Sequence, residues 1–205
     1  MAPSKLPASP WHEGERQMQA RLGVADQLAR SGSRTIRDFM PEQHREFYRQ
    51  LPFLLVGAVD PSGAPWATLL HGEPGFVDSP DARTLRVAAR PAADDPVGRA
   101  LAAGSPVGML GIELHTRRRN RVNGAVTALD PAGFTVSVGH AFGNCPQYIQ
   151  TRALAPLQRS SARPAGPIER ATDLDADAAA VIAAADTFFV TSYVDVDGER
   201  SRRAV

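Results

Sequence analysis

The chain has 205 residues, enough to bury a sizeable core and to form one or at most two domains. Its 23 Lys and Arg against 22 Asp and Glu leave a net charge of +1, which excludes whole-chain attraction to nucleic acid or to an acidic membrane. The single cysteine excludes an internal disulfide and a multi-cysteine metal site, and no apolar run approaches the roughly 20 residues of a membrane span. We therefore expect a soluble, cytoplasmic protein without membrane or nucleic-acid partners.

The first fifty residues predict helices. Residues 1–10 are rich in Pro, Ser and Ala, which is typical of a mobile arm. The stretch "WHEGERQMQARLGVADQLARSG" predicts two short helical pieces, interrupted by Gly23 and closed by Gly32. The stretch "DFMPEQHREFYRQL" predicts a further helix with Pro41 near its first turn.

From Phe53 onward the pattern changes to strands and turns. "FLLVGAVDPSGAPWATLLHG" predicts a β-hairpin, "DSPDARTLRVAAR" a turn and a strand, and "VGMLGIEL" a buried strand. "DDPVGRALAAGSP" predicts a short helix capped by Asp94 or Asp95 and stopped by Gly104, and a second hairpin surrounds "DPAG". Six strands with one internal helix favour a mainly β (α+β) fold built on a small antiparallel barrel. The regular strand–helix alternation of a doubly wound sheet is missing.

The C-terminal part contains a candidate repeat. Residues 157–170, "LQRSSARPAGPIER", are typical of a linker. "FLLVGAVDPSG" (53–63) aligns with "FFVTSYVDVDG" (188–198) at four identical positions in eleven, and a helix-like stretch precedes each copy. The prediction is a barrel domain over 11–156 and the start of a second, truncated barrel over 171–205. Two alternatives stay open: short helix–strand–turn units resemble one another by chance, or residues 171–205 pack on the first barrel or on a partner.

No catalytic residue is assigned by motif. The five histidines (His12, His44, His71, His115 and His140) never approach one another at ligand spacing, so no metal site is expected. Neither a GxxxxGK[ST] nor a GxGxxG phosphate loop occurs.

The densest charge in the chain is "TRRRNRVNG", residues 116–124. In a strand, Arg117, Arg119 and Arg121 share one face, while the alternate positions from Arg118 to Val126 become apolar and enter the core. Three guanidinium groups on one face are suited to a phosphate or to a carboxylate of a partner chain. The alternative is a solvated basic strand. Nucleic-acid binding is disfavoured because no aromatic residues are interleaved.

The only cysteine lies in "GNCPQYIQ". Pro146 disfavours helix at Cys145 and fits the first position of a following helix, with Asn144 as a cap. A catalytic thiol needs a base or a positive field, and the spacing does not place His140 as that base. The stretch therefore predicts a strand-to-helix corner whose free amides receive an anionic or carbonyl group.

Taken together, the first hairpin, "TRRRNRVNG", "GNCPQYIQ", "SPWHEGE" and "ADTFFVTSY" resemble the flavin-nucleotide-binding proteins related to pyridoxamine 5′-phosphate oxidase, in a bacterial branch with tandem split barrels. The resemblance implies a six-stranded antiparallel Greek-key split β-barrel with flanking helices, which binds FMN where two barrels meet, and hence a homodimer. The flavin-contacting strands would be 66–70 and 85–90. The implied cofactor-binding residues are Trp66, Ala67, Thr68, Leu69, Val87, Ala88, Arg90, Arg117, Arg119, Arg121, Asn144 and Gln147.

The sequence departs from that family where the FMN phosphate is expected. "ARPAADDP" places Asp94 and Asp95 where cations are wanted, so Arg86, Arg90 or the arginines near Arg119 take over that role, or this half binds no FMN. The substrate segment of the oxidase has no counterpart, so vitamin B6 chemistry is not supported. The expected function is an FMN-dependent oxidoreductase acting by hydride or electron transfer. The alternative is a non-catalytic flavin-binding or dimerisation module.

Overall fold

The structure is a computed structural model that describes residues 11–147, 149–153 and 171–194. Five helices and seven strands are found in these ranges. The helices are α1 (Glu13–Arg21), α2 (Ala25–Thr35), α3 (Glu42–Arg49), α4 (Pro96–Ala100) and α5 (Ala176–Ala184). The strands are β1 (Phe53–Val59), β2 (Pro65–His71), β3 (Val77–Asp81), β4 (Thr84–Val87), β5 (Pro106–Glu113), β6 (Arg118–Asp130) and β7 (Gly133–Gly143). None of the described helices is long and apolar enough to cross a membrane.

The strands form one antiparallel sheet in the order β2-β1-β5-β6-β7-β4-β3. Inward-facing side chains from all seven strands share one core cluster, and no ladder joins β2 to β3 among the described strands. The mainly β split-barrel prediction is confirmed.

The predicted count of six strands is wrong by one. The stretch read as a turn and one strand is a complete hairpin, β3 and β4, with the Asp81 carboxylate accepting the Arg83 backbone N–H at 2.7 Å in the turn. Strand β3 was not predicted because it contains Pro80, and proline has no backbone N–H to donate to the hydrogen bonds between strands. The residue is tolerated here because β3 is the edge strand of the sheet.

Helix α3 closes the core from one side. Phe47 and Tyr48 near the end of α3, and Leu51 just after it, are fully buried and pack against the sheet at Gly111. Their contacts include an edge-to-face pair of the Phe47 and Tyr48 rings at 5.5 Å. The helix begins after Pro41, as predicted.

The two N-terminal helices agree with the prediction except at Gly32. The chain breaks near Gly23, which has φ +68, whereas Gly32 lies inside α2 and the helix continues to Thr35. A Cβ at Gly32 would lie 2.8 Å from the indole of Trp11. Gly32 is therefore a packing glycine against Trp11, not a helix stop.

The C-terminal described part packs on the barrel by few contacts. Helix α5 follows its N-cap Asp175, as the repeat predicts, but none of its residues is buried. Residues 187–194 form no strand. The arm 1–10, the predicted linker 157–170 and the end of the second repeat copy lie outside the described residues, so the domain division stays a prediction.

Candidate functional site

The candidate site lies on the face of β2, β1, β5 and β6 that points away from the core, here called the outer face. Directly opposed residues of an antiparallel sheet point to the same side. The pairing therefore places two rows of residues across this face. One row contains Leu69, Leu55, Leu110 and Arg121, and the other Ala67, Gly57, Gly108 and Asn123. The outer face is thus apolar and shallow over β2, β1 and β5, and cationic where it reaches β6.

Two guanidinium groups form the cationic edge. Arg119 opposes Ile112 and Arg121 opposes Leu110, so both side chains lie on the outer face about 7 Å apart along β6. Arg119 Nη2 donates to the Cys145 carbonyl at 3.0 Å, and the buried Nε atoms of both arginines have no hydrogen-bond partner. Neither forms an ion pair with a described carboxylate.

No carboxylate of the described residues compensates the charge on this edge. Burial lowers the pKa of Arg121, and the neighbouring positive charge of Arg119 lowers it further. The arginine stays protonated at neutral pH because the ordinary pKa of a guanidinium lies far above neutrality. An anion placed between the two guanidinium groups would accept the free N–H donors and remove the repulsion.

The predicted alternation along "TRRRNRVNG" holds from Arg118 onward and fails at Arg117. Asn120, Val122 and Val126 are buried, as predicted for the inner face. Arg118 lies over the Phe47 ring, 5.1 Å from its centroid, and so closes the end of the core. Arg117 lies before the strand, in the β5–β6 turn, with φ +59, so it does not share the face of Arg119 and Arg121. A turn residue has no strand-like alternation.

A cavity of about 520 Å³ lies over the outer face. Its floor is apolar backbone and side chain from β1, β2 and β5, one end is formed by Arg119 and Arg121, and the covering wall is formed by residues 149–150 and 186–192. The volume is in the range of small-molecule sites. Phe53, Leu55 and Ile112 are more than nine-tenths buried beneath this wall, which explains why β1 is buried on both faces.

Of the four β2 residues predicted to bind the cofactor, one lines the cavity and three do not. Ala67 lines the cavity. Trp66 and Leu69 are exposed neighbours, and the Trp66 indole donates to Asp60 at 2.8 Å. Thr68 donates its hydroxyl hydrogen bond to Asp95.

The predicted residues after β3 lie elsewhere. Val87 is fully buried, and its backbone pairs with β3 on one side and β7 on the other. The Ala88 N–H donates to the Phe76 carbonyl at 2.7 Å, and Arg90 donates to the Asp130 carbonyl at 3.1 Å. None of these three residues lines the cavity.

The "GNCP" corner lies beside the arginine pair. The Asn144 N–H donates to the Arg119 carbonyl at 2.8 Å, and Gln147 lines the cavity. The predicted helix from Pro146 does not form among the described residues 144–147 and 149–153, and Asn144 caps none. The chain makes a single turn, and Arg152 N–H then bonds the Leu114 carbonyl at 3.4 Å, so pairing with the β5–β6 turn replaces the helix. Cys145 is exposed.

Two parts of the site were not predicted from the sequence. Gly57 and Gly108 meet on neighbouring strands and leave the floor shallow, but their pairing depends on register across β1 and β5. Residues 186–192 lie more than fifty positions beyond the end of β6 and still form the covering wall. The apolar stretch "FFV" within them was visible, whereas its placement over the outer face was not.

Comparison with known proteins places the chain in a family. Solved structures similar in part include HupZ of Group A Streptococcus (10% identity, TM-score 0.41, covering 51% of this chain and 93% of that one). A candidate pyridoxamine 5′-phosphate oxidase of Lactobacillus delbrueckii gives 13% identity and a TM-score of 0.41, with coverage of 52% of this chain and 95% of that one. A FAD- and heme-binding protein of Mycobacterium smegmatis gives 13% identity and a TM-score of 0.34, with coverage of 55% and 70%. No curated protein matches significantly. Residues 40–155 match the family described as pyridoxamine 5′-phosphate oxidase, which is more than half of the chain, so the chain belongs to that family.

Proposed function

We propose that this protein binds a flavin nucleotide, FMN, on the outer face of the barrel and acts in a redox reaction. The observation that carries the proposal is the pair of guanidinium groups, Arg119 and Arg121, at the end of an apolar cavity with unpartnered N–H donors. A planar apolar ring with an anionic ester matches a shallow apolar floor ending in two cations. Family membership supports the same ligand class.

The fit assigns a role to each part of the cavity. Arg119 and Arg121 hold the phosphate, and Gly57, Gly108 and Ala67 leave room for a ring system against the sheet. Leu69 extends the apolar surface along β2, whereas Trp66 opposes the core residue Ala58 and therefore points to the other face of the strand. Bound FMN supplies the capacity to accept and donate a hydride or single electrons. The chain orients the ring and keeps water from the apolar floor.

Asp94 and Asp95, whose negative charges would repel a phosphate, lie apart from the cavity. Asp95 caps α4 by accepting the Val97 N–H at 2.8 Å and also accepts the Thr68 hydroxyl. Asp94 is exposed, and neither residue lines the cavity. We therefore assign phosphate binding to the arginines of β6 and not to the segment after β4.

Titration of FMN and riboflavin by flavin fluorescence quenching tests the phosphate assignment. Riboflavin lacks the phosphate, so Arg119→Gln and Arg121→Gln should each weaken FMN binding about 10- to 100-fold, the size of a charged hydrogen bond, and leave riboflavin binding nearly unchanged. Arg99→Gln, at an exposed position on α4, is the matched control. Equal losses for both ligands, or no loss for FMN, would remove the two arginines from the phosphate site.

A homodimer and a second barrel complete the proposal. The C-terminal part exposes Val181, Ile182, Phe188 and Val190 by 54–74%, an apolar surface that a second copy or the remainder of a repeated barrel would cover. Sedimentation equilibrium of the protein tests the dimer. A monomer at all micromolar concentrations would count against it.

A non-catalytic flavin carrier is the second candidate, because no described side chain in the cavity is an unpaired carboxylate or a histidine that could act as a proton donor. Anaerobic mixing of the FMN complex with NADH and NADPH separates the candidates. Flavin bleaching followed by turnover in air supports the redox protein, and a stable oxidised complex supports the carrier.

A further inference from the structure

Residues 186–193 are fastened to the barrel at both ends. Asp186 forms an ion pair with Arg152, which itself bonds the Leu114 carbonyl in the β5–β6 turn. The Tyr193 hydroxyl donates to the Gly63 carbonyl at 2.8 Å, in the β1–β2 turn. The residues between these two contacts line the cavity.

The two fastening points lie at opposite ends of the sheet. Ala58 pairs with Val107, so the β1–β2 turn is at the end where β5 begins, whereas Leu114 follows the end of β5. The eight residues of β5 are separated by seven steps, which measure about 23 Å at roughly 3.3 Å per step. The seven steps from Asp186 to Tyr193 span at most about 25 Å. The segment therefore crosses the outer face extended, with little slack.

Its side chains alternate as those of an extended chain should. Phe188 and Val190 are 74% and 67% exposed, whereas Phe189 is 39% exposed and Thr191 is also partly covered. One edge of the segment thus faces the cavity and the other faces outward. Asp186 is the sole carboxylate among the described lining residues, and its ion-pair partner is Arg152 rather than Arg119 or Arg121.

We propose that residues 186–193 form a strap that closes the cavity in cis, and that release of the bound ligand requires the strap to unfasten. The identity of the ligand rests on the proposed function, whereas the position of the strap does not. Breaking one fastening contact loosens that end of the strap, and breaking both frees the segment over its whole length.

The position of the strap can be measured without ligand. Cys145 is exposed and is the only cysteine, and its sulfur lies 4.0 Å from the Gln147 side chain, which lines the cavity. A nitroxide on Cys145 should broaden the amide signals of residues 186–192 in the full chain. The variant carrying Asp186→Asn and Tyr193→Phe should lose that broadening. Unbroadened signals in the wild-type chain would overturn the strap.

The effect on release is measured with FMN as the probe, by stopped-flow displacement. Tyr193→Phe should speed FMN dissociation about two- to tenfold, the value of one hydrogen bond. Asp186→Asn should speed it up to about fivefold, because the ion pair is exposed. Asp177→Asn, in the exposed first turn of α5, is the control and should leave the rate unchanged. Equal dissociation rates in the wild-type chain and Tyr193→Phe would overturn the gating role. If the wild-type chain binds no FMN, the proposed function fails, and the nitroxide measurement alone decides whether the strap exists.

Discussion

The close approach of β6 and β7 at Gly124 makes a sharp stability prediction. The register between the two strands shifts at Asn123 and Gly124, and a Cβ added at Gly124 would lie 2.1 Å from the Ser137 carbonyl oxygen and 2.8 Å from Val136 Cγ1. A carbonyl oxygen cannot rotate away as a side chain can. Gly124→Ala therefore requires the two central strands to separate by about 1 Å locally.

The expected cost follows from this geometry. Overpacking that shifts backbone costs about 1–3 kcal/mol, and weakening one cross-strand hydrogen bond adds about 1 kcal/mol. The smaller entropy of the unfolded alanine chain offsets about 0.4–1 kcal/mol. Gly124→Ala should thus lower the free energy of unfolding by about 1–3.5 kcal/mol.

Urea unfolding followed by the fluorescence of Trp11 and Trp66 and by circular dichroism measures this change. Gly139→Ala is the matched control, because Gly139 lies in the bulge of the same strand pair, where a Cβ would be 3.4 Å from the nearest atom, the Asn123 carbonyl oxygen. Its change should stay within about 1 kcal/mol. A Gly124→Ala protein as stable as the Gly139→Ala protein would refute the packing argument.

Two further predictions concern groups buried around α3. Tyr48→Phe should lower the free energy of unfolding by about 1–2 kcal/mol, because it removes the buried hydrogen bond from the Tyr48 hydroxyl to the Asn120 carbonyl at 3.0 Å. The same urea experiment checks it; a change below about 0.5 kcal/mol would show that the hydroxyl contributes nothing. For His44, burial lowers the pKa, and the charges of Arg37 and Arg118 lower it further. The unfolded state therefore binds the proton more readily, so stability should fall as the pH drops below about 6.5. The urea midpoints at pH 7.5 and 5.5 should differ more in the wild-type protein than in His44→Gln. Equal pH dependence in the two proteins would contradict the assignment of this effect to His44.

Local chemistry along the chain determined much of this protein. The continuous apolar run of β1 is typical of a buried strand, the "DPSG" and "DPAG" turns lie where the two hairpins turn, and Asp95 caps α4. These features depend on neighbouring residues, so the sequence predicts them directly. Gly32 and Pro80 were misread because their roles do not depend on neighbouring residues. Gly32 packs against Trp11, and Pro80 is tolerated because its strand lies at the edge of the sheet.

The candidate site was decided by tertiary structure. Alternation along β6 predicts that Arg119 and Arg121 share a face, but only the register with β5 shows that this face is the apolar side of β1, β2 and β5. Only the folded chain brings residues 186–193 across it. Periodicity is a property of one strand, whereas a cavity depends on which strands are neighbours and on where a distant segment returns. The sequence therefore identified the cations, and the packing of the sheet decided what they face.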